Sequence, residues 1–203
     1  MIKERNKFTA VCLKGPVCIL GGRDNNYNVV KSVYKYSPCT KKWVEVADVI
    51  DKRDLFCACA FMDKIFLFGG RHLDLERETI INSCLQYNDK SWKEVCEMHE
   101  ARYDAACAVF RGNIVVCGGC DQESDDLNTA ESYDVFNDEW TAMPNMNGYH
   151  CDHSVVVVKN RLHVVVSRCW GKSEVFEDVS RKFFALKNPY PTGNHKALLI
   201  ANK

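Results

Sequence analysis

The sequence has no net charge to offer a polyanion: 27 Lys and Arg are balanced by 27 Asp and Glu over 203 residues. That balance excludes the strong positive field that gathers proteins on nucleic acid or anionic membranes. Long apolar runs are also missing. Segments such as Val155–Val158 are far too short to cross a bilayer. Behind Met1 stands Ile-Lys-Glu-Arg-Asn-Lys, without the apolar stretch of a secretory signal, and Asn-x-Ser/Thr occurs nowhere. These gaps point to a cytoplasmic protein with no nucleic-acid and no membrane contact. Catalytic signatures are equally scarce. Gly-x-Ser-x-Gly, a phosphate-cradling loop and a Cys with a His at catalytic spacing are all lacking. No enzyme activity, cofactor or resident metal is expected.

What the chain does have is 46% hydrophobic residues, enough to build a core, and twelve cysteines. Cys12, Cys18, Cys57, Cys59, Cys107 and Cys117 lie inside apolar runs, where a free thiol packs as a small hydrophobe. With no sign of secretion, reduced thiols are expected rather than a disulfide framework. Cys117-Gly-Gly-Cys120 has the spacing of a redox dithiol or half a zinc site. Its glycines, however, belong to something larger.

Gly-Gly doublets begin at positions 21, 69 and 118, in steps of 48 and 49. Trp43, Trp92 and Trp140 keep the same period, and so do Arg5, Arg53 and Arg102, each 16 residues ahead of its doublet. Three independent markers with one period define an internal repeat. Within it, Ala-Ala-Cys-Ala-Val-Phe, the turn Arg111-Gly112-Asn113 and Ile-Val-Val-Cys read as a hairpin. Lys14-Gly15, Asp63-Lys64 and Lys159-Asn160 occupy the same turn in other units. After each doublet comes a polar loop, then Tyr36 before Trp43, Tyr87 before Trp92 and Tyr133 before Trp140, read as a second hairpin whose ring pair packs between sheets.

A fourth unit is degenerate. His150 takes the Arg position, Val166-Ser167 replaces Gly-Gly, and Phe176 and Phe183 replace Tyr and Trp. Ala197–Ala201 reads as one strand of an uncompleted fifth unit. Four antiparallel strands per period of about fifty residues make a propeller blade. The doublet glycines are required where a strand leaves into a loop with positive φ or close backbone approach. Leu20 and Phe68 precede the other doublets and Arg23 and Arg71 follow them, so the thiols around the third are not part of the pattern.

The Arg, the Gly-Gly, the Tyr-x6-Trp spacing and the period together resemble the kelch repeat, over residues 5 to 203. The expected fold is all-β: a single kelch-type β-propeller domain over 1–203, with blades at about 5–52, 53–101, 102–149 and 150–191 and an extra strand in 192–203. With about four blades where the family usually has six, a partial or open propeller is expected, exposing apolar edges and poorly soluble alone.

The set is most similar to the propeller of kelch-like proteins that also carry BTB and BACK domains. In that family the propeller is the substrate-recognition module of cullin-based ubiquitin ligases. The resemblance places its ligand face on Arg5, Arg53, Arg102 and His150, and on Arg23, Asp24, Asn25, Arg71, His72 and Cys120 after the doublets. Because the first two strands of a blade are antiparallel, the residues opening one and closing the other meet at one mouth of the channel. Tyr103, Tyr149 and Phe56 lie near them as aromatic anchors. For Arg53 and Arg102, recurrence at a fixed phase equally suits a blade support. Arg23 and Arg71, in variable loops, are the better recognition residues. The expected partner is a protein bound at that mouth. Some family members bind actin, which supplies a rival reading. No BTB or BACK sequence is present here, so cullin contact is not expected of this chain alone.

Two other clusters read as structural. His150-Cys151-Asp152-His153, with His163 and Cys169 near, has metal-ligating composition, but a strand turns successive side chains to opposite faces. The acidic loop Asp121–Asp126 lacks the glycine and terminal Glu of a calcium loop.

Overall fold

A computed structural model describes residues 4–73, 77–166 and 172–186, and among these there is no helix. The chain forms two compact units, Met1–Tyr103 and Asp104–Lys203, each with two four-stranded antiparallel sheets. In unit 1 the first sheet is β1 (Thr9–Cys12), β2 (Val17–Leu20), β3 (Val33–Ser37) and β4 (Lys42–Val46). Its second sheet combines β6 (Cys57–Phe61), β7 (Lys64–Phe68), β10 (Cys84–Tyr87) and β11 (Trp92–Val95). In unit 2 the sheets are β12 (Ala106–Phe110), β13 (Asn113–Cys117), β14 (Ala130–Asp134) and β15 (Glu139–Ala142), then β16 (Ser154–Val158), β17 (Arg161–Val165), β18 (Glu174–Glu177) and β19 (Lys182–Ala185). These four meanders are the four expected blades. The surplus strand proposed for 192–203 lies outside the described residues.

The hairpin turns follow from backbone handedness. Met62 and Asp63 have φ of 48° and 59°, Arg111 and Gly112 51° and 83°, Lys159 and Asn160 48° and 58°. Two consecutive positive-φ residues make the tight loop whose twist matches the flanking strands. In the second blade this loop sits one residue before the expected Asp63-Lys64, because Lys64 already pairs with Phe61 in the ladder. The inner strands β7 and β13 are buried on both faces, which explains their uninterrupted apolar runs; the fourth strands β4, β15 and β19 are largely exposed.

Tyr36–Trp43, Tyr87–Trp92, Tyr133–Trp140 and Phe176–Phe183 are direct cross-strand partners, each with ring centroids 5.0 Å apart. The shorter Tyr87–Trp92 spacing keeps this register by tightening the loop, with Asn88 Oδ1 accepting from the N–H groups of Lys90 and Ser91. Trp92 donates its indole N–H to the Ala47 carbonyl at 2.9 Å, tying the two blades of unit 1 together. Beside it, one core joins Val11, Leu13, Cys18, Leu20 and Val33 of the first blade to Ile65, Leu67, Leu85 and Tyr87 of the second. In unit 2 Phe110 meets Phe176 edge to face at 6.1 Å within an equivalent core. Of the thiols expected to pack as small hydrophobes, Cys18, Cys57 and Cys117 are buried and Cys59 and Cys107 half-buried, whereas Cys12 is exposed, which corrects the expectation for it.

The second and third doublets join their blades to the next segment. Gly70 donates its N–H to the Arg102 carbonyl and Gly119 to the His150 carbonyl, both at 2.8 Å. A methyl on Gly69 would collide with the Arg102 carbonyl, and one on Gly118 with that of His150. Both glycines also have φ near +60°, so glycine is required twice over.

One element was not foreseen. The polar segment after the second doublet forms a three-stranded sheet of β5 (Arg53–Asp54), β8 (Arg71–Leu73) and β9 (Glu78–Ile80), in which Arg53 pairs with His72 and Asp54 with Arg71. The charged sequence gives no apolar alternation to announce it.

Candidate functional site

The repeating Arg is a strut. Arg53 is 2% exposed and donates to the Gly69 and Ser83 carbonyls at 3.2 Å, to the Ser83 hydroxyl at 2.9 Å and to both oxygens of Asp51. Arg5 makes the same set on Gly21, Ser32 and the Ser32 hydroxyl, and is half-buried. Arg102 is 1% exposed and pairs with Glu100 at 3.0 Å. The Arg5 and Arg53 forks thus tie the doublet end of one strand to the start of the third, satisfying carbonyls that would otherwise be buried unpaired.

His150 in the fourth blade is wholly buried, and its Nε2 lies 2.9 Å from Glu174 Oε1. Ser173 there accepts from the Val166 N–H instead. The expectation that Arg53, Arg102 and His150 present donors to a partner is therefore corrected: burial leaves them no surface to present. Phe56 is corrected likewise, its buried ring lying against Gly21 and its Cα and Cβ against Gly70.

The accessible part of the site lies on the residues after the first two doublets; Cys120, after the third, is 6% exposed, which corrects its expected place on the ligand face. Arg23 and Arg71, from neighbouring blades of unit 1, converge on Asp54, whose side chain is wholly buried. Arg23 Nε approaches Asp54 Oδ2 at 2.5 Å, and Arg71 reaches both oxygens at 3.1 Å. Arg71 also meets the exposed Glu78 at 3.2 Å. Its hydrogen bonds to Asp54 outweigh desolvation and raise the guanidinium pKa further, aided by the charges of Asp54, Glu78 and Tyr103. Both arginines keep a partly exposed side chain, so two cations share one buried anion at the surface.

Beside them runs the loop from Asp24 to Asn28. Asp24 Oδ1 accepts from the N–H groups of Asn26 and Asn28, both at 2.9 Å, an Asx-type turn that fixes the loop. The turn presents Asn25, whose amide donates to Glu4 at 2.9 Å, and Tyr27, which is 72% exposed. Asp121 organises the matching loop of unit 2 through the N–H groups of Glu123 and Asp125, giving the acidic loop a structural role. His72 and Tyr103 are partly buried in unit 1, and Tyr149 is 61% exposed in unit 2.

Cys117 Sγ lies 3.9 Å from His153 Nε2, and Cys120 Sγ donates to Asp126 Oδ1 at 3.4 Å. His150 and His153 rings are 5.9 Å apart. Among the described residues the groups close enough to share a metal are Cys120, Asp126 and Cys151, rather than the histidines singled out in the sequence. Cys169 lies outside the described residues.

Sequence reading also missed Asp54, Tyr27, Glu174 and a fourth repeat marker. Ser32, Ser83, Thr129 and Ser173 stand immediately before the third strand of successive blades. Their shared hydroxyl was legible had the strand starts been aligned.

Residues 4–183 match the model of the KLHDC2/KLHL20/DRC7 Kelch-repeats domain. The chain belongs to this kelch-repeat family and is a protein-interaction module of the kelch type. It is 25% identical over 166 residues to human Kelch-like protein 23, covering 79% of this chain and 28% of that protein. The Kelch repeat and BTB domain-containing protein 2 of Ectromelia virus (strain Moscow) is 25% identical over 78% of the chain and 31% of the relative. An F-box/kelch-repeat protein of Arabidopsis thaliana is 32% identical over 55% of the chain and 28% of the relative. The chain thus spans about a third or less of these relatives. The solved structure of YjhT superposes with a TM-score of 0.68 at 13% identity, over 79% of this chain and 58% of that one, a likeness of fold.

Proposed function

We propose that this kelch module recognises a protein substrate for a cullin-based ubiquitin ligase, through the loops that follow the doublets of unit 1. The observation that carries the reading is the separation of roles within one motif. The phase-locked Arg53 and Arg102 are sealed, while Arg23, Arg71, Asn25 and Tyr27 form an ordered surface with charged forks and an exposed ring. A pre-organised loop with an unburied aromatic loses little entropy on binding. Relatives whose names couple kelch repeats to a BTB domain or an F-box support the ligase setting.

The test is affinity capture with the wild-type chain and with an Asn25→Ala/Tyr27→Ala variant. The partner should be lost with the variant, and its cellular abundance should rise when the gene is removed. A partner retained by the variant and unchanged in abundance contradicts the proposal. Co-sedimentation with actin filaments that survives the substitutions would favour the cytoskeletal reading instead.

A further inference from the structure

The junction where Arg23 meets Asp54 in unit 1 has a counterpart in unit 2, built from different chemistry. Cys120 follows its doublet as Arg23 and Arg71 follow theirs, and Cys151 follows His150 as Asp54 follows Arg53. The ion pair is replaced by thiols, and a carboxylate joins them. Cys120 and Asp126 face each other as a β-bridge closing the Asp121 loop, and Cys151 enters from the next blade. The donor atoms of Cys120, Asp126 and Cys151 all lie within 4.8 Å of one another.

We propose that Cys120, Asp126 and Cys151 form a binding site for a thiophilic divalent cation of the zinc class. Tetrahedral zinc, with Zn–S of about 2.3 Å and Zn–O of about 2.1 Å, sets sulfur–sulfur edges of about 3.8 Å and sulfur–oxygen edges of about 3.6 Å. The Cys120–Asp126 separation of 3.4 Å already matches such an edge, and the remaining edges close with small side-chain rotations. Binding releases two thiol protons to solvent and leaves two thiolates and one carboxylate around the cation, with the fourth position taken by water. Cys120 is 6% exposed whereas Asp126 and Cys151 are only partly buried, so the cation enters from the loop side. Bound there, it links the Asp121 loop of the third blade to the segment leading into the first strand of the fourth, as the Arg23–Asp54 pair links the blades of unit 1.

The experiment titrates the reduced, metal-free full chain with Co2+ and then displaces it with Zn2+. One equivalent of Co2+ should give the visible absorption of tetrahedral thiolate coordination, removed by Zn2+. Cys151→Ser and Asp126→Asn should each weaken Co2+ binding by about tenfold or more while the far-ultraviolet circular dichroism stays that of the wild type. Cys39→Ser and Cys96→Ser, at exposed thiols elsewhere, should leave the titration unchanged. A tetrahedral signal that survives both Cys151→Ser and Asp126→Asn overturns the assignment, as does its absence from the reduced wild-type chain. Recovery of a Cys120–Cys151 disulfide, two hydrogens lighter, with no metal uptake after reduction would show a thiol pair instead and would equally overturn it.

Discussion

His150 and Glu174 form a sealed pair, Nε2 to Oε1 at 2.9 Å, at the place where other blades carry the arginine clamp. Glu174 also accepts from the N–H groups of Asn147 and Gly148 and from the Asn147 amide. Burial alone would push its carboxyl up; the bonds from His150, Asn147 and Gly148 outweigh burial and hold it below the usual value of 4.5. A carboxyl depressed in the folded state contributes stability above its unfolded pKa and loses it as pH falls through the lowered value. Unit 2 should therefore show constant stability from this group above about pH 4.5 and a decline below it. Glu174→Gln should remove that acid-side slope and cost about 1–3 kcal/mol at neutral pH, read by urea unfolding at several pH values.

Arg23 and Arg71 should behave non-additively. Either arginine alone can still neutralise Asp54, so each single alanine substitution should cost about 1 kcal/mol, whereas removing both strands a buried carboxylate and should cost about 3–5 kcal/mol, more than the sum of the two. A double-mutant cycle by chemical unfolding measures this. Asp54→Asn in the double variant should restore most of the loss.

Arg53→Lys should destabilise the fold by about 2–4 kcal/mol despite preserving charge. A lysine cannot reach Asp51, the two carbonyls and the Ser83 hydroxyl with one planar fork. Ser83→Ala, which removes one acceptor only, should cost about 1 kcal/mol, and the two effects separate by thermal unfolding.

Gly118→Ala and Gly112→Ala provide an internal control for the doublet. Both positions have positive φ, at 60° and 83°. A methyl at Gly112 meets nothing within 4 Å, while one at Gly118 runs into the His150 carbonyl and the His153 ring. Gly112→Ala should cost about 1 kcal/mol from backbone conformation alone, and Gly118→Ala clearly more.

The blades were legible because their markers are geometric requirements. Gly-Gly answers to positive φ and close approach, Tyr-x6-Trp to cross-strand register, and each recurs at a fixed phase. The site was less legible because the same recurrence was ambiguous: an Arg at constant phase suits a strut or a ligand contact, and only burial separates them. Asp54 gave no signal, since one carboxylate beside an arginine is ordinary until two arginines from different blades converge on it. Tyr27 was equally silent, its exposure depending on the turn that Asp24 imposes.

The most direct measurement compares Arg53→Lys with Tyr27→Ala for melting temperature and for affinity toward the captured partner, at a temperature where both are folded. A strut beside a recognition loop predicts that Arg53→Lys lowers the melting temperature with affinity held within about twofold, while Tyr27→Ala keeps the melting temperature and weakens binding by about tenfold or more. Affinity lost with Arg53→Lys and retained with Tyr27→Ala would contradict the account.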